Sequence, residues 1–112
     1  MIILLNASPR KHGTTGKALQ DISQILNQRE IKHQFIHVSD LNFKYCTGCM
    51  QCYKKGMCVF NDDIEKLSRE IDKADGIIFG TPTYAMHMSG QLKTIIDRGH
   101  FIIEQLLVNK HL

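Results

Sequence analysis

The sequence predicts an α/β domain built on a parallel sheet, and three observations carry that prediction. Short apolar runs alternate with amphipathic segments of helical period, the pattern of strand–helix–strand crossovers. Gly76-Ile77-Ile78-Phe79-Gly80 is almost wholly apolar between two glycines, as a parallel strand covered on both faces would be. The first apolar run leads straight into a small-residue loop and then a helix, the order found where α/β sheets meet their ligands. With 112 residues and 43% hydrophobic content, the chain has material for one modest core, so a single domain over residues 1–112 is expected.

Residues 2–5 form the first strand. Residues 15–28 place Ala18, Leu19, Ile22, Ile25 and Leu26 at helical spacing, which gives one apolar face. Residues 35–38 make the second strand, and a polar, cysteine-bearing loop follows over residues 39–61. Asp62 with Glu65 three residues on reads as a capping box, and Ile64, Leu67, Ile71 and Ala74 continue as a helix face. Residues 76–80 are the third strand. Ser89 then caps a last helix carrying Leu92, Ile95, Ile96, Ile102, Ile103 and Leu106, with Gly99 expected to bend or interrupt it. There are no repeats and no low-complexity segments.

Composition excludes several function classes. No apolar run is long enough to cross a membrane, and the N-terminus lacks the basic flank and extended apolar region of a secretory signal. The chain therefore reads as cytoplasmic. Its net charge of +3 comes from scattered Lys and Arg, which suits a small anionic ligand and gives no concentrated surface for nucleic acid.

The loop Asn6-Ala7-Ser8-Pro9-Arg10-Lys11-His12-Gly13-Thr14-Thr15-Gly16 has the layout of a phosphate cradle. Small residues let backbone N–H groups approach an anion, and the following helix points its positive end at the same place. Ser8, Thr14 and Thr15 add hydroxyls, while Arg10 and Lys11 add charge. A Walker A loop is excluded, because Ala18 follows Gly16-Lys17 where Ser or Thr is needed. The dinucleotide pattern G-x-G-x-x-G is absent too, which leaves a mononucleotide phosphate without bound metal. The plain alternative is an ordinary strand-to-helix turn. A second loop, Thr81-Pro82-Thr83-Tyr84-Ala85-Met86, leaves the third strand at the same sheet end and suits something flat and apolar.

All four cysteines fall in Cys46-x2-Cys49-x2-Cys52-x5-Cys58, with Gly48 allowing a tight wrap. Clustered thiols in a reducing compartment point to metal or redox chemistry. Three cysteines stepped by x2 resemble an iron–sulfur ligand run more than paired zinc ligands. The alternative is four unligated thiols packing the loop. His33 and His37 share one strand face without an acidic or thiol partner and read as packing or surface residues. His12 reads as a solvated loop residue. Lys93, Asp97 and Arg98 read as a helix-surface ion pair, and Met86 and Met88 as gap-fillers or the border of a ligand.

Taken together, Ser8-Pro9-Arg10-x-x-Gly13-Thr14-Thr15, the four-cysteine loop followed by Asp62-Asp63, Ala74-Asp75-Gly76-Ile77-Ile78, and Pro82-x-Tyr84 with Lys93-x-x-Ile96-Asp97-Arg98 resemble NAD(P)H-dependent FMN reductases. The cysteine spacing is similar to that of the iron–sulfur flavoproteins within that group. The resemblance implies a flavodoxin-like fold whose first three strands lie in the order 2-1-3. It implies that Ser8, Arg10, Gly13, Thr14 and Thr15 hold the FMN phosphate, and that Pro82, Thr83, Tyr84, Ala85 and Met86 line the ribityl chain and ring. It further implies a [4Fe-4S] cluster on Cys46, Cys49, Cys52 and Cys58, NAD(P)H as electron donor, and an acceptor the sequence does not specify. Thr14 stands where the family usually has Asn. The chemistry belongs to the flavin, so no catalytic side chain is expected.

This chain supplies three of the five strands and is expected to lack the last two. The third strand is then an apolar edge, and Phe101, Ile102, Ile103, Leu106 and Leu107 add further apolar surface, so a homodimer is expected. Two other readings stand beside the oxidoreductase. One is a non-enzymatic flavin or iron–sulfur electron-transfer module, and the other a thiol- or metal-binding protein without flavin.

Overall fold

The computed structural model describes residues 1–99. Strand β1 (Ile2–Asn6) lies at the centre of a three-stranded parallel sheet, between β2 (His33–His37) and β3 (Gly76–Gly80). The order β2-β1-β3 is the one expected from sequence. Leu4 sits between Phe35 and Ile78, and Asn6 between His37 and Gly80. Ile3, Leu4, Leu5 and Asn6 are fully buried, because β1 is paired on both edges and covered on both faces.

Helix α1 (Thr14–Gln28) crosses one face of the sheet. Its approach is close: a Cβ at Gly80 would stand 2.6 Å from Leu19 Cδ1 and 2.9 Å from Thr15 Cγ2. On the opposite face, Leu5, Ala7 and Val38 pack with four residues from two helices. Ile64 and Leu67 come from α3 (Asp63–Lys73), and Leu92 and Ile95 from α4 (residues 90–99). A single helical turn, α2 (Cys52–Lys55), lies within the cysteine loop and ends at Gly56, whose φ of +73° suits a residue without Cβ.

Several expectations are corrected. The buried side of α1 is narrower than its periodicity suggests: Gly16 and Leu19 are buried, whereas Ala18 is exposed and Ile25 is 50% exposed. Contact of Gly16 and Leu19 with the sheet fixes the rotation of the helix and turns Ala18 and Ile25 away. Strand β2 starts two residues earlier than predicted, because Ile2 pairs with His33, and it ends at His37. Val38 instead opens a 3-10 turn over Val38–Asp40 and enters the core. The capping box forms only by half. Asp62 accepts the Ile64 N–H at 3.2 Å, but Glu65 turns to Arg69 one turn later.

Gly99 is helical and is the last described residue, so the bend or interruption expected at it falls outside the described residues. The apolar positions Phe101, Ile102, Ile103, Leu106 and Leu107 lie outside the described residues. Among the described residues, no helix is long and apolar enough to cross a membrane.

Candidate functional site

The first loop is organised by Asn6, which is fully buried at the end of β1. Its Oδ1 accepts the Ser8 N–H at 3.1 Å, and its Nδ2 faces His37 Nδ1 at 3.2 Å. Since Nδ2 can only donate, His37 accepts there as a neutral imidazole protonated on Nε2. Burial first, and then the Lys11 charge, lower the His37 pKa below its ordinary value; Asp40 opposes this and His12 adds to the lowering. Ser8 is buried as well, and its Oγ accepts the Arg10 N–H at 3.1 Å. Sequence reasoning ended the strand at Leu5 and took Asn6 as the first loop residue without a role of its own, whereas it closes β1. Its signal was a polar residue directly after four apolar ones.

The loop closes tightly on α1. A Cβ at Gly16 would lie 2.0 Å from the Lys11 carbonyl oxygen, so only glycine fits there. Gly13 is the N-cap residue and supplies no side-chain cap, and the first turn holds no acidic residue. The helix N-terminus therefore presents uncapped N–H groups. Arg10 lies over that end, its Nε 3.6 Å from where a Gly13 Cβ would be. A cation beside the positive end of a helix dipole is unfavourable on its own, and an anion between them relieves the conflict. The exposed Lys11 pairs with Asp40 at 2.6 Å, while His12 is exposed.

The second loop is fastened to the first. Ser89, almost fully buried, donates its hydroxyl to the Ala7 carbonyl at 2.8 Å and caps α4 by accepting the Leu92 N–H at 3.2 Å. Thr81 Oγ1 accepts the Ser89 N–H at 2.9 Å and donates to the Pro82 carbonyl at 3.0 Å. Sequence reasoning identified Ser89 only as a cap and missed its link between the loops.

At the loop tip, Tyr84 and His87 exchange backbone hydrogen bonds at 2.8 Å, with Ala85 and Met86 between them at φ +47° and +64°. That is a two-residue turn with both central residues left-handed, a conformation favouring Asn-Gly over Ala-Met and costing about 1–2 kcal/mol per residue. Thr83, Tyr84, Ala85 and Met86 all face solvent, and Met88 packs against the core. The ten loop residues named from sequence thus flank one sheet end, with Ser8 below the surface and Met86 at the outermost tip.

Cys46, Cys49, Cys52 and Cys58 line one small hollow of about 30 Å³, partly open to solvent, together with Phe60, Asp97 and Arg98. None is in a disulfide, and Cys46 and Cys49 are exposed, so those two thiols do not serve to pack the loop. Four soft thiols around one hollow form a donor set that fits an iron–sulfur cluster. Among the described residues, however, no three candidate ligands gather closely enough to hold one ion.

Arg98 overturns its sequence reading. Lys93 and Asp97 do form an exposed pair one turn apart, but the Arg98 side chain is wholly buried. Its NH1 and NH2 donate to the two Asp62 oxygens at 2.6 and 2.8 Å. NH1 also reaches the Lys44 carbonyl at 3.0 Å, Nε reaches Cys58 Sγ at 3.3 Å, and the guanidinium lies 5.0 Å from the Phe60 ring centre. Burial opposes charge on both Arg98 and Asp62. Their mutual hydrogen bonds outweigh it, raising the Arg98 pKa and, with the Lys44 and Ile64 N–H groups, holding the Asp62 carboxyl below its ordinary value. The missed signal was helical phase, since position 98 follows Ile95 by three residues on the buried stripe.

The histidine pair behaves as expected from sequence. His33 Nδ1 donates to the Ile31 carbonyl at 3.0 Å and Nε2 accepts from Ser23 Oγ at 2.7 Å, so His33 is a satisfied structural residue.

The sequence profile described as NADPH-dependent FMN reductase matches residues 1–111. The chain belongs to that family. An iron-sulfur flavoprotein of Clostridioides difficile (strain 630) is 40% identical over 115 residues, covering 98% of this chain and 50% of the relative. An iron-sulfur flavoprotein of Archaeoglobus fulgidus is 37% identical over 91 residues, covering 81% of this chain and 41% of the relative. The chain spans about half the length of the curated relatives it matches. Among solved structures, an NADH:FMN oxidoreductase in its apo form superposes with a TM-score of 0.62 at 26% identity, over 86% of this chain and 48% of its own. The flavodoxin-like family fold accounts for the strand order and for both loops meeting at one sheet end.

Proposed function

We propose that this chain carries the FMN-binding part of an NAD(P)H-dependent oxidoreductase of the iron–sulfur flavoprotein type. The uncapped N-terminus of α1 under Arg10 carries the reading, because that arrangement is electrostatically complete only with an anion in place. Family membership and the name of the solved NADH:FMN oxidoreductase support FMN as the anion's source.

In this reading the phosphate rests on the N–H groups of Gly13, Thr14 and Thr15, with Arg10 as the charged partner. The hydroxyls of Thr14 and Thr15 complete the shell. The Ser8 oxygen is already engaged by the Arg10 N–H, so Ser8 acts chiefly by shaping the loop and has only its hydroxyl proton to offer. Pro82, Thr83, Tyr84, Ala85 and Met86 form the apolar wall for the ribityl chain and ring, and the Ser89 bridge sets the distance between wall and phosphate loop. Bound flavin supplies hydride acceptance from a nicotinamide and onward transfer of one or two electrons. The four cysteines are the proposed ligands of a [4Fe-4S] cluster beside it. The half-exposed Phe79 on β3, which has no strand partner on its outer side among the described residues, supports a homodimer.

The direct test is flavin binding followed by fluorescence quenching. Wild-type protein should bind FMN, and Arg10→Ala should weaken binding at least about tenfold, since a charge-assisted hydrogen bond contributes about 1.5–3 kcal/mol. Folded protein that ignores FMN at high micromolar concentration would remove this reading.

A further inference from the structure

We propose that Arg98 is the positioning residue of the cysteine site: one buried guanidinium buckles together both ends of the cysteine loop and fixes the sulfur of Cys58. The inference rests on reading those cysteines as a ligand site, and it assigns a function to a residue the flavin loops do not use.

The geometry is unusual for a single side chain. Arg98 contacts Lys44, two residues ahead of Cys46, and Cys58, the last thiol. It also contacts Phe60 and Asp62, which follow at once. The segment that leaves the core near Lys44 and returns at Asp62 is pinned at its base by the pair Asn42 and Asp63. The Asn42 N–H reaches Asp63 Oδ2 at 2.7 Å, and the Asp63 N–H reaches the Asn42 carbonyl at 3.2 Å. Arg98 adds the tie that reaches on to Cys58. The fork geometry of the guanidinium makes this possible, because NH1, NH2 and Nε point to different acceptors in one plane. Asp62 is equally committed. Its carboxylate caps α3 through the Ile64 N–H and accepts the Lys44 N–H at 3.2 Å, so the clamp is anchored to a helix end.

The consequence is a division among the four sulfurs. Cys58 is held by a charged N–H donor at the cavity wall. Cys46 and Cys49 lie on the exposed limb around Gly48 and Met50, both in the left-handed region, and Cys52 opens the short α2. Cys58 is thus the sulfur that Arg98 holds, while Cys46 and Cys49 stand on the exposed part of the loop. A donor hydrogen-bonded to a ligand sulfur also favours the more negative, reduced state of whatever the sulfurs hold.

The experiment has two arms and uses wild type, Arg98→Lys, Arg98→Met, Asp62→Asn and the surface control Lys93→Met. In metal-free protein, hydrogen exchange of residues 42–58 is compared with that of β1 and α1. Both Arg98 variants should speed exchange in this segment by about tenfold or more, as loss of a buried charge pair implies, with β1 and α1 unchanged and Lys93→Met like wild type. Should Arg98→Met fail to fold, Arg98→Lys and Asp62→Asn test the same clamp from its two partners. Unchanged exchange overturns the proposal whether or not the protein takes up iron.

In the second arm, anaerobic protein is reconstituted with ferrous iron and sulfide. Arg98→Lys should load less cluster than wild type, or load it at a more negative midpoint potential. Equal loading at an equal potential overturns the positioning role. A wild type that binds no iron removes the iron–sulfur reading, while the exchange arm still decides for or against the clamp.

Discussion

The Ser89 hydroxyl joins the two loops of the candidate site, donating to the Ala7 carbonyl across 82 positions of sequence at 2.8 Å. The same oxygen caps α4. Ser89→Ala removes both bonds at a position that is almost fully buried. The cap contributes about 1 kcal/mol, and the stranded Ala7 carbonyl adds about 1–2 kcal/mol. Urea unfolding should show a lower midpoint with an unchanged slope. FMN affinity should fall as well, although Ser89 itself does not touch the ligand in the proposed arrangement.

Two glycines of the first loop should respond differently to the same substitution. Gly16→Ala places a Cβ against the Lys11 carbonyl, a backbone atom that cannot rotate aside, and should destabilise by about 1–3 kcal/mol. Gly13→Ala brings its Cβ only into ordinary contact with Arg10, so its cost should stay below about 1 kcal/mol, the difference between N-cap preferences. Thermal denaturation of the pair checks this ordering.

Acid should weaken the protein in two stages. His37 has a folded pKa below the ordinary 6.5, so the unfolded chain takes up this proton first. Its contribution is complete above about pH 6.5 and is lost as pH falls below that value toward the folded pKa. His37→Gln, which keeps an acceptor for Asn6, should abolish this stage. Asp62 has a folded pKa below the ordinary 3.8, so its contribution persists above about pH 4 and disappears as pH drops through the lower folded value. Asp62→Asn should remove the second stage and leave the first. Urea midpoints across the acid range separate the two.

Local chemistry determined a large part of this protein. The alternation of β1, β2 and β3 with amphipathic helices is written in the periodicity of the residues, because strands and helices must each present an apolar face. The bounds of β3 were legible from its two flanking glycines, and the Asp62 and Ser89 caps from residue type alone. The close turn of the loop after β1 onto α1 was legible too, since small residues sit consecutively before a helix start.

Tertiary structure decided what depends on contacts between distant segments. Arg98 reads locally as part of an exposed charge group with Lys93 and Asp97, and only the packing of α4 beside the cysteine loop turns it inward onto Asp62. The rotation of α1, which leaves Ile25 at the surface, is set by how closely Gly16 and Gly80 let helix and sheet approach. The role of Asn6 depends on β2 ending beside it at His37. For Arg98, Gly80 and Asn6 the deciding partner, Asp62, Leu19 or His37, lies far away in the chain. Sequence periodicity reports which face of an element is apolar, but the burial of a charge or the angle of a helix is fixed by the surface it meets.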